Sequence, residues 1–147
     1  MKKWETINEI IDKSQMVDLF VLCVDRDGHA ERRTILDELE AKARKRLRPP
    51  RLFLAEHAWQ EVEVWALAGI NWRLKPKWTW EAVREERDPK EHYFKPIAKA
   101  RGLLDSVGQG RELLGQEAAR NYTKVRQNCH EVLALENRIR EWIDAAS

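Results

Sequence analysis

The chain has 147 residues and a mass of 17.4 kDa, the size of one domain with room for a hydrophobic core. Its 27 lysines and arginines nearly balance 25 acidic residues, so the formal net charge of +2 does not require a polyanionic partner. The 43% of hydrophobic residues, with seven tryptophans, exclude a disordered chain, and the low glycine and proline content favours helices over an all-β fold.

The first half of the chain alternates helix and strand patterns. Apolar spacing predicts, in order, a helix over 3–13, a strand over 17–24, a helix over about 30–47, a strand over 51–56 and a helix over 57–68. The unbroken apolar run Leu19–Val24 favours a strand that is buried on both faces, as in a parallel sheet. This order predicts two parallel strands joined by a right-handed helical crossover.

The second half is predicted to be helical. The pattern predicts an irregular basic stretch over 69–77, short helices near 79–87 and 89–101, a loop over 102–111 and a long helix over 124–145. The apolar stripe of the last helix is expected to pack on the sheet, and pairing with a second copy of the chain is the alternative. We therefore predict a single α/β domain over 1–147, with a small, mostly parallel sheet flanked by helices and a helical C-terminal part.

The cysteines and the apolar runs bear on the compartment. Cys23 and Cys129 lie far apart in apolar segments, which favours buried free thiols in a reducing compartment over a disulfide framework. The longest apolar run, Leu19–Val24, is far shorter than the ~20 residues of a membrane helix, and no signal-peptide core follows the N-terminus. The sequence predicts a soluble cytoplasmic protein with no membrane partner.

Two aspartates follow the first predicted strand. Asp25 and Asp27 stand in Asp-Arg-Asp-Gly, where Gly28 permits a tight turn, at the strand end where α/β sheets bind ligands. Two carboxylates separated by one residue can hold one hard cation such as Mg²⁺. A polar strand-to-helix turn, with Asp27 near the helix N-cap, explains the same four residues equally well.

A second acidic group follows the next predicted strand. Glu56 ends that strand, and Glu61 and Glu63 lie in the helix predicted after it. Because neighbouring parallel strands end at the same sheet edge, acids from both strands can share a metal site. The alternative is a solvated first helical turn, where the helix dipole favours acidic residues.

Several of these stretches resemble one known family. Val21–Gly28 (VLCVDRDG), followed by a helix, a strand and Glu61–Ala68 (EVEVWALA), is similar to a TOPRIM-fold domain. The nearest group is that of small TOPRIM-like proteins related to the overcoming-lysogenisation-defect nucleases. The stretches Gly110–Leu114, Glu117–Tyr122 and Cys129–Leu135 also resemble the tail of those proteins. The resemblance runs from about residue 17 to the end of the chain.

The resemblance implies a metal-dependent nuclease. By it, Asp25 and Asp27 are the aspartates of the family's Asp-x-Asp metal motif. Glu63 matches an acid that related nucleases place after the next strand, and Glu61 takes that place if the register differs. The implied chemistry is phosphodiester cleavage assisted by one or two Mg²⁺ or Mn²⁺ ions, with Asp25, Asp27 and Glu63 as catalytic residues.

One feature of the family is missing. TOPRIM domains carry a glutamate at the end of an earlier strand, whereas the first 16 residues here predict a helix. The resemblance therefore implies a nuclease domain that lacks this strand or receives it from another chain, or else a catalytically silent module that binds a protein or nucleic acid.

A second resemblance competes for the same residues. A strand that ends in Asp-x-Asp-Gly is similar to the first motif of haloacid-dehalogenase phosphatases, in which the first aspartate is a nucleophile. His29 stands where that family usually carries Thr or Val, and we find no later strand that ends in an acidic pair. The nuclease-type reading is therefore the main prediction.

Two basic stretches are candidates for contact with DNA or RNA. Residues 42–51 hold six bases and no acid, which can follow a phosphate backbone or form a solvated helix end. The predicted contacts are Arg44, Lys45, Arg46, Arg48 and Arg51. Three tryptophans are interleaved with three basic residues over 72–80. These tryptophans can stack on unpaired bases or pin a loop to the core.

Overall fold

A computed structural model describes residues 2–70 and 77–147 of the chain. In this part the elements are α1 (Lys2–Lys13), β1 (Leu19–Asp25), α2 (Arg32–Arg46), β2 (Leu52–Ala58), α3 (Glu63–Gly69), α4 (Trp80–Glu85), α5 (Lys95–Ala100), α6 (Arg111–Arg120), α7 (Tyr122–Asn128) and α8 (His130–Ala146). A π-helical turn at Lys90–Phe94 precedes α5, and a 3₁₀ turn at Val107–Gly110 precedes α6. No helix among the described residues is long and apolar enough to cross a membrane.

The two strands form a parallel sheet. Leu19 lies opposite Leu52 at one end of the register, and Asp25 lies opposite Ala58 at the other. Helix α2 makes the connection between them. The predicted α/β fold, with a small parallel sheet flanked by helices, is confirmed.

One hydrophobic core lies between the sheet and the first two helices. Phe53 and Ala55 are buried from β2, and Phe20, Leu22 and Val24 pack against them from β1. Helix α1 contributes two buried isoleucines and α2 contributes the apolar face predicted for it, all of which is buried: Ile7 and Ile11; Leu36, Leu39, Ala43 and Leu47.

The expectation that β1 is buried on both faces is wrong. Val21 is 44% exposed and Cys23 is exposed. On β1, the face of the sheet that points away from α1 and α2 is therefore exposed to solvent. The reason is that α8 lies along β2, where Leu54 is buried. The prediction of two buried thiols is therefore wrong for Cys23, whereas Cys129 is buried, and burial raises the pKa of its thiol to about 12.

A second core lies among the helices of the C-terminal part. It is centred on α3 and receives side chains from α4 to α7: Val64, Leu67, Val83, Phe94, Ile97, Leu114 and Val125. Helices α3 and α6 approach closely at Gly69, where an added Cβ would lie 2.6 Å from the Cα of Ala118. This glycine permits the close packing of α3 against α6.

Several predicted boundaries are corrected. The helix predicted over 57–68 begins at Glu63, because β2 continues to Ala58 and Gln60 has a positive φ of 69°. The long helix predicted over 124–145 is divided at Cys129, whose extended backbone separates α7 from α8. The predicted loop is followed by α6, which the pattern missed, and residues 71–76 of the predicted irregular stretch lie outside the described residues.

Candidate functional site

The loops that follow the two strands are bonded to each other. The N–H of Arg26 donates to the carbonyl of Ala58 at 3.1 Å, which continues the parallel ladder beyond β1. Gln60 then accepts twice, from the N–H of Asp27 at its carbonyl (3.0 Å) and from the N–H of Gly28 at its side-chain oxygen (3.1 Å). The two strands therefore end together and bring their acidic residues to one edge of the sheet.

Asp25 is at the centre of this edge. Its Oδ1 accepts the N–H of Val62 at 2.7 Å, which places it beside the two glutamates that flank Val62 in the chain. Burial raises the pKa of Asp25, and repulsion from Asp27 and Glu63 adds to the rise. This carboxyl group therefore lies in an electrostatic environment that disfavours its negative charge.

Glu61 directly precedes Val62 in the chain and shares this electrostatic environment. Its Oε2 accepts the N–H of Lys90 at 2.8 Å. Burial raises the pKa of Glu61, and its acidic neighbours Glu63 and Asp25 raise it further. Asp25 at the end of β1 and Glu61 in the β2–α3 loop thus bring two carboxyl groups close enough for the charge of Asp25 to raise the pKa of Glu61.

Glu63 and Asp27 have different surroundings. Glu63 is only 5% exposed, and its Oε1 accepts from Arg111, at 2.9 Å from Nε and 2.8 Å from Nη2. Asp27 is exposed, with a φ of 50°, and its Oδ2 lies 3.7 Å from Nη2 of Arg32. A metal role for Glu63 requires the cation to compete with Arg111, whereas the carboxylate of Asp27 accepts no hydrogen bond from the described residues.

The donor chemistry of this edge fits a hard divalent cation in part. Within residues 2–70 and 77–147, no three histidine, cysteine or acidic side chains converge in an arrangement that can hold a metal ion. Magnesium, however, is commonly held by one or two carboxylates, while water and substrate phosphates supply its other ligands. Asp25 and Glu61, with Asp27 beside them, provide carboxylates of this kind, and their mutual repulsion is what a cation relieves.

Glu56 does not belong to this group. The sequence placed it at the strand end, but β2 continues for two more residues. Its Oε1 accepts from Nη1 of Arg33 at 3.2 Å and from the N–H of His57 at 2.9 Å. Glu56 is a buried, paired residue inside β2.

The basic stretch lies at the other end of α2. Arg46 binds Asp12 at 2.7 Å, and Arg51 donates to carbonyl groups at the end of α1. Both arginines therefore fix α1 in place. The other three predicted contacts, Arg44, Lys45 and Arg48, are exposed, and their contact with DNA or RNA stays a prediction.

The tryptophans of the second basic stretch pack on the helical core. Trp78 makes an edge contact with Tyr93, with 4.8 Å between ring centroids. Nε1 of Trp80 donates to the carbonyl of Asn128 at 3.1 Å. These contacts favour the loop-pinning interpretation for both residues, while Trp72, Arg73 and Lys75 lie outside the described residues.

The sequence interpretation missed the residues that hold the β2–α3 loop. Glu131 at the start of α8 accepts from both Nη atoms of Arg84, at 2.7 and 3.0 Å, and also from the N–H of Trp59 and Nε1 of Trp65. The guanidinium of Arg26 stacks on Trp59 at 3.8 Å. Glu131 lies 66 residues or more from both tryptophans in the chain, so no local pattern indicated this contact.

Comparison of the chain with models of protein families, with curated proteins and with solved structures gives no match. The resemblance to TOPRIM domains therefore rests on the sequence stretches themselves.

Proposed function

We propose that this chain is a TOPRIM-like phosphoryl-transfer domain that uses Mg²⁺ or Mn²⁺ and is incomplete by itself. The observation that carries the proposal is that Asp25, which accepts the N–H of Val62, and Glu61, which directly precedes Val62, lie at the carboxyl edge of a parallel sheet, where burial raises the pKa of both carboxyl groups. Ligands bind at this edge in α/β folds, and clusters of perturbed carboxyl groups are typical of functional sites.

Asp25 and Glu61 would hold the cation, with Asp27 as a further carboxylate at the rim. When bound, the cation stabilises the charge that develops on the phosphate during cleavage. The chain's own contribution is to fix the two loops: the N–H of Val62 holds Asp25, and the N–H of Lys90 holds Glu61. Glu63, paired with Arg111, supports the start of α3 at this position.

We propose that the domain is incomplete because, among the described residues before β1, no strand carries an acid to the site. Helix α1 (Lys2–Lys13) precedes β1, and its Asp12 binds Arg46 at the far end of α2. Among the described residues, no group is therefore placed as the counterpart of the early TOPRIM glutamate. Phosphodiester cleavage also requires a group that handles the proton, and another chain would supply it.

Metal binding is the direct test. We expect titration calorimetry with Mn²⁺ to detect binding that Asp25→Asn abolishes, because the substitution removes the central negative charge. Asp105→Asn is the matched control, since Asp105 is exposed and lies outside the site. Equal titrations of the wild type and Asp25→Asn would reduce this edge to a polar turn and overturn the proposal.

Activity is the second test. We expect the isolated chain to nick plasmid DNA weakly or not at all with Mn²⁺, and a partner that contributes a strand-end glutamate to raise the rate. Robust cleavage by the chain alone would show that one of its own glutamates handles the proton. Cleavage that Asp27→Ala leaves unchanged would argue against this site.

A catalytically silent binding module is the second candidate, and the free edge of β1 favours it. The N–H of Arg26 and the carbonyl of Asp18 bond to the β2 side, so Leu19, Val21 and Cys23 direct their backbone groups away from β2. In the described part of the chain no other strand pairs with them. Such an edge can accept a strand from another polypeptide.

The two candidates differ in Mn²⁺ binding and in cleavage. A silent module binds no Mn²⁺ at Asp25 and cleaves no nucleic acid, even when the strand partner is present. Loss of Mn²⁺ binding in Asp25→Asn therefore decides for the phosphoryl-transfer domain.

A further inference from the structure

The first residue of α2 is an arginine with a buried nitrogen that makes no hydrogen bond. The side chain of Arg32 is only 12% exposed, and its Nε is fully buried without a hydrogen-bond partner. Its nearest charged atom is Oδ2 of Asp27, 3.7 Å from Nη2, which is beyond hydrogen-bond distance. The neighbouring Arg33, by contrast, binds acidic side chains and a backbone carbonyl.

This arrangement is costly for a ligand-free protein. A guanidinium group has five N–H donors, and burying donors without acceptors costs free energy. Native structures rarely tolerate such groups unless a water, an ion or a functional role explains them. The fork of an arginine matches the oxygens of a phosphate, which it can bind through two parallel hydrogen bonds.

A second guanidinium lies on the same turn. A Cβ added at Gly28 would lie 3.3 Å from Nε and 3.4 Å from Nη2 of Arg87, so the bare glycine lets this group lie against the backbone. Arg87 is exposed, and no acidic side chain of the described residues forms an ion pair with it. Two arginines therefore lie at the Asp27–Gly28 turn, Arg32 near Asp27 and Arg87 against Gly28.

The start of α2 adds to the positive potential here. Its first turn contains no acidic residue, and the side chain of Glu31 at the N-cap makes no capping hydrogen bond. Cations at a helix N-terminus oppose the helix dipole, so two arginines at the first two positions of α2 are unfavourable for the helix itself. A bound anion would turn each of these costs into an attraction.

We infer that Arg32 and Arg87 bind a phosphate group at the Asp27–Gly28 turn. The chemistry is shared by the phosphodiester of a nucleic acid and by a free phosphate ion. The inference deepens the proposed function, since a phosphate held here lies beside the carboxylates of Asp25 and Asp27. Binding of the phosphate itself requires no cation.

The test measures binding without any divalent cation. Inorganic phosphate and a short oligodeoxythymidine are titrated separately into the wild type in EDTA at constant ionic strength, with calorimetric detection. We expect Arg32→Gln and Arg87→Gln each to weaken binding roughly tenfold or more, because each removes charge-assisted hydrogen bonds. Arg120→Gln is the matched control, because Arg120 is exposed on α6, outside this site, and it should bind like the wild type.

The outcomes separate the sources and the two hypotheses. Tighter binding of the oligonucleotide than of phosphate assigns the site to a nucleic-acid backbone, and binding of phosphate alone assigns it to the free ion. If neither probe binds, or if both variants bind like the wild type, the inference is wrong. If Arg32→Gln does not fold, Arg87→Gln decides, since Arg87 is exposed. Because the titrations contain EDTA, failure of the metal proposal leaves their result unchanged.

Discussion

The two strands of the sheet have the same length but opposite relations between hydrophobicity and burial. β1 (LFVLCVD) is apolar up to its last residue, yet Val21 and Cys23 are exposed. β2 (LFLAEHA) contains a glutamate and a histidine, yet Glu56 is 5% exposed. The comparison teaches that what packs on a strand decides its burial, since α8 lies along β2.

The edges of the two strands differ in the same way. On β2, the N–H of Ala55 donates to Glu40 at 2.7 Å, and the carbonyl of Ala55 accepts from Arg33 and Arg138. Arg138 also reaches both carboxylate oxygens of Glu40 at 2.6 Å. Side chains from α2 and α8 thus replace a third strand on β2, whereas the outer backbone groups of β1 have no such partners among the described residues.

Removing the carboxylate that closes the β2 edge should have the largest effect. We expect Glu40→Ala to lower the free energy of unfolding by about 3–5 kcal/mol, because it leaves the buried N–H of Ala55 and the half-buried guanidinium of Arg138 without their acceptor. Urea unfolding followed by circular dichroism measures this loss. Glu38→Ala, at an exposed position of the same helix, should change stability by no more than about 0.5 kcal/mol. A similar small loss for both variants would mean that the β2 edge needs no closure.

A matched pair of truncations tests the difference between the strand faces. Val21 and Leu54 lie opposite each other in the register and on the same face, but Leu54 is 4% exposed. We expect Leu54→Ala to cost about 2–4 kcal/mol, as for a buried leucine, and Val21→Ala to cost less than about 1 kcal/mol. Both values come from the same urea titration. Equal costs would indicate that the bare face of β1 is covered in solution.

The sequence predicted the helices near the sheet well and the end of β2 poorly. The apolar spacing of α1 and α2 reports a single buried face, which each helix has. The sequence predicts a strand over 51–56 that ends at Glu56. In the structure Arg33 pairs with Glu56 inside the strand, which continues to Ala58. Burial lowers the pKa of His57, which favours the neutral form of this strand residue.

Only the site residues at or shortly after the strand ends could be predicted from the sequence. The position of Asp25 follows from the end of an apolar run. Glu61 is predicted in the helix after the next strand, whereas it lies in the loop before α3. The contacts that surround these acids do not follow from the sequence pattern, because they come from distant parts of the chain. Lys90 bonds Glu61, Arg111 bonds Glu63, and Glu131 bonds the N–H of Trp59. One local signal was available and unused: the pair Arg32-Arg33 opens a helix that should favour acidic residues there.

The hydrogen bonds of Glu131, which join α8 to the loop after β2, should contribute a pH-dependent stabilisation of intermediate size. Burial raises the pKa of Glu131, but hydrogen bonds from Arg84 and from backbone N–H groups lower it by more, so that it lies below its usual value of 4.5. A lowered pKa stabilises the folded state above pH 4.5, and this contribution is lost as the pH falls through the folded-state pKa. We expect Glu131→Gln to cost about 1–3 kcal/mol at pH 7.

Denaturant unfolding of both proteins between pH 7 and 3 measures this contribution. The difference between wild type and Glu131→Gln should stay constant down to about pH 5 and then shrink. Glu112→Gln, at an exposed position of α6, is the control and should show no such change. A difference that persists at pH 3 would contradict an ionic contribution from Glu131.

The smallest expected effect is a gain of stability at the end of β1. Burial and the acids Asp27 and Glu63 raise the pKa of Asp25 above its usual 3.8. A raised pKa of an acid means that the folded state loses stability as the pH rises from 3.8 through the folded-state value. Asp25→Asn keeps an oxygen for the N–H of Val62 but removes the charge, so we expect it to unfold at higher urea at pH 7, by less than about 1 kcal/mol.

Unfolding measurements at pH 3 and with Mn²⁺ test whether the charge of Asp25 causes this gain in stability. At pH 3 the wild-type carboxyl is protonated, so the difference between the wild type and Asp25→Asn should disappear. With Mn²⁺ at neutral pH the order should reverse, because a cation that binds only the folded wild type stabilises it in proportion to the logarithm of its concentration. An Asp25→Asn protein that stays more stable at every Mn²⁺ concentration would assign Asp25 a purely repulsive role. A wild type that overtakes it would connect the end of β1 to the proposed metal chemistry, whereas Val21→Ala on the same strand should respond to Mn²⁺ like the wild type.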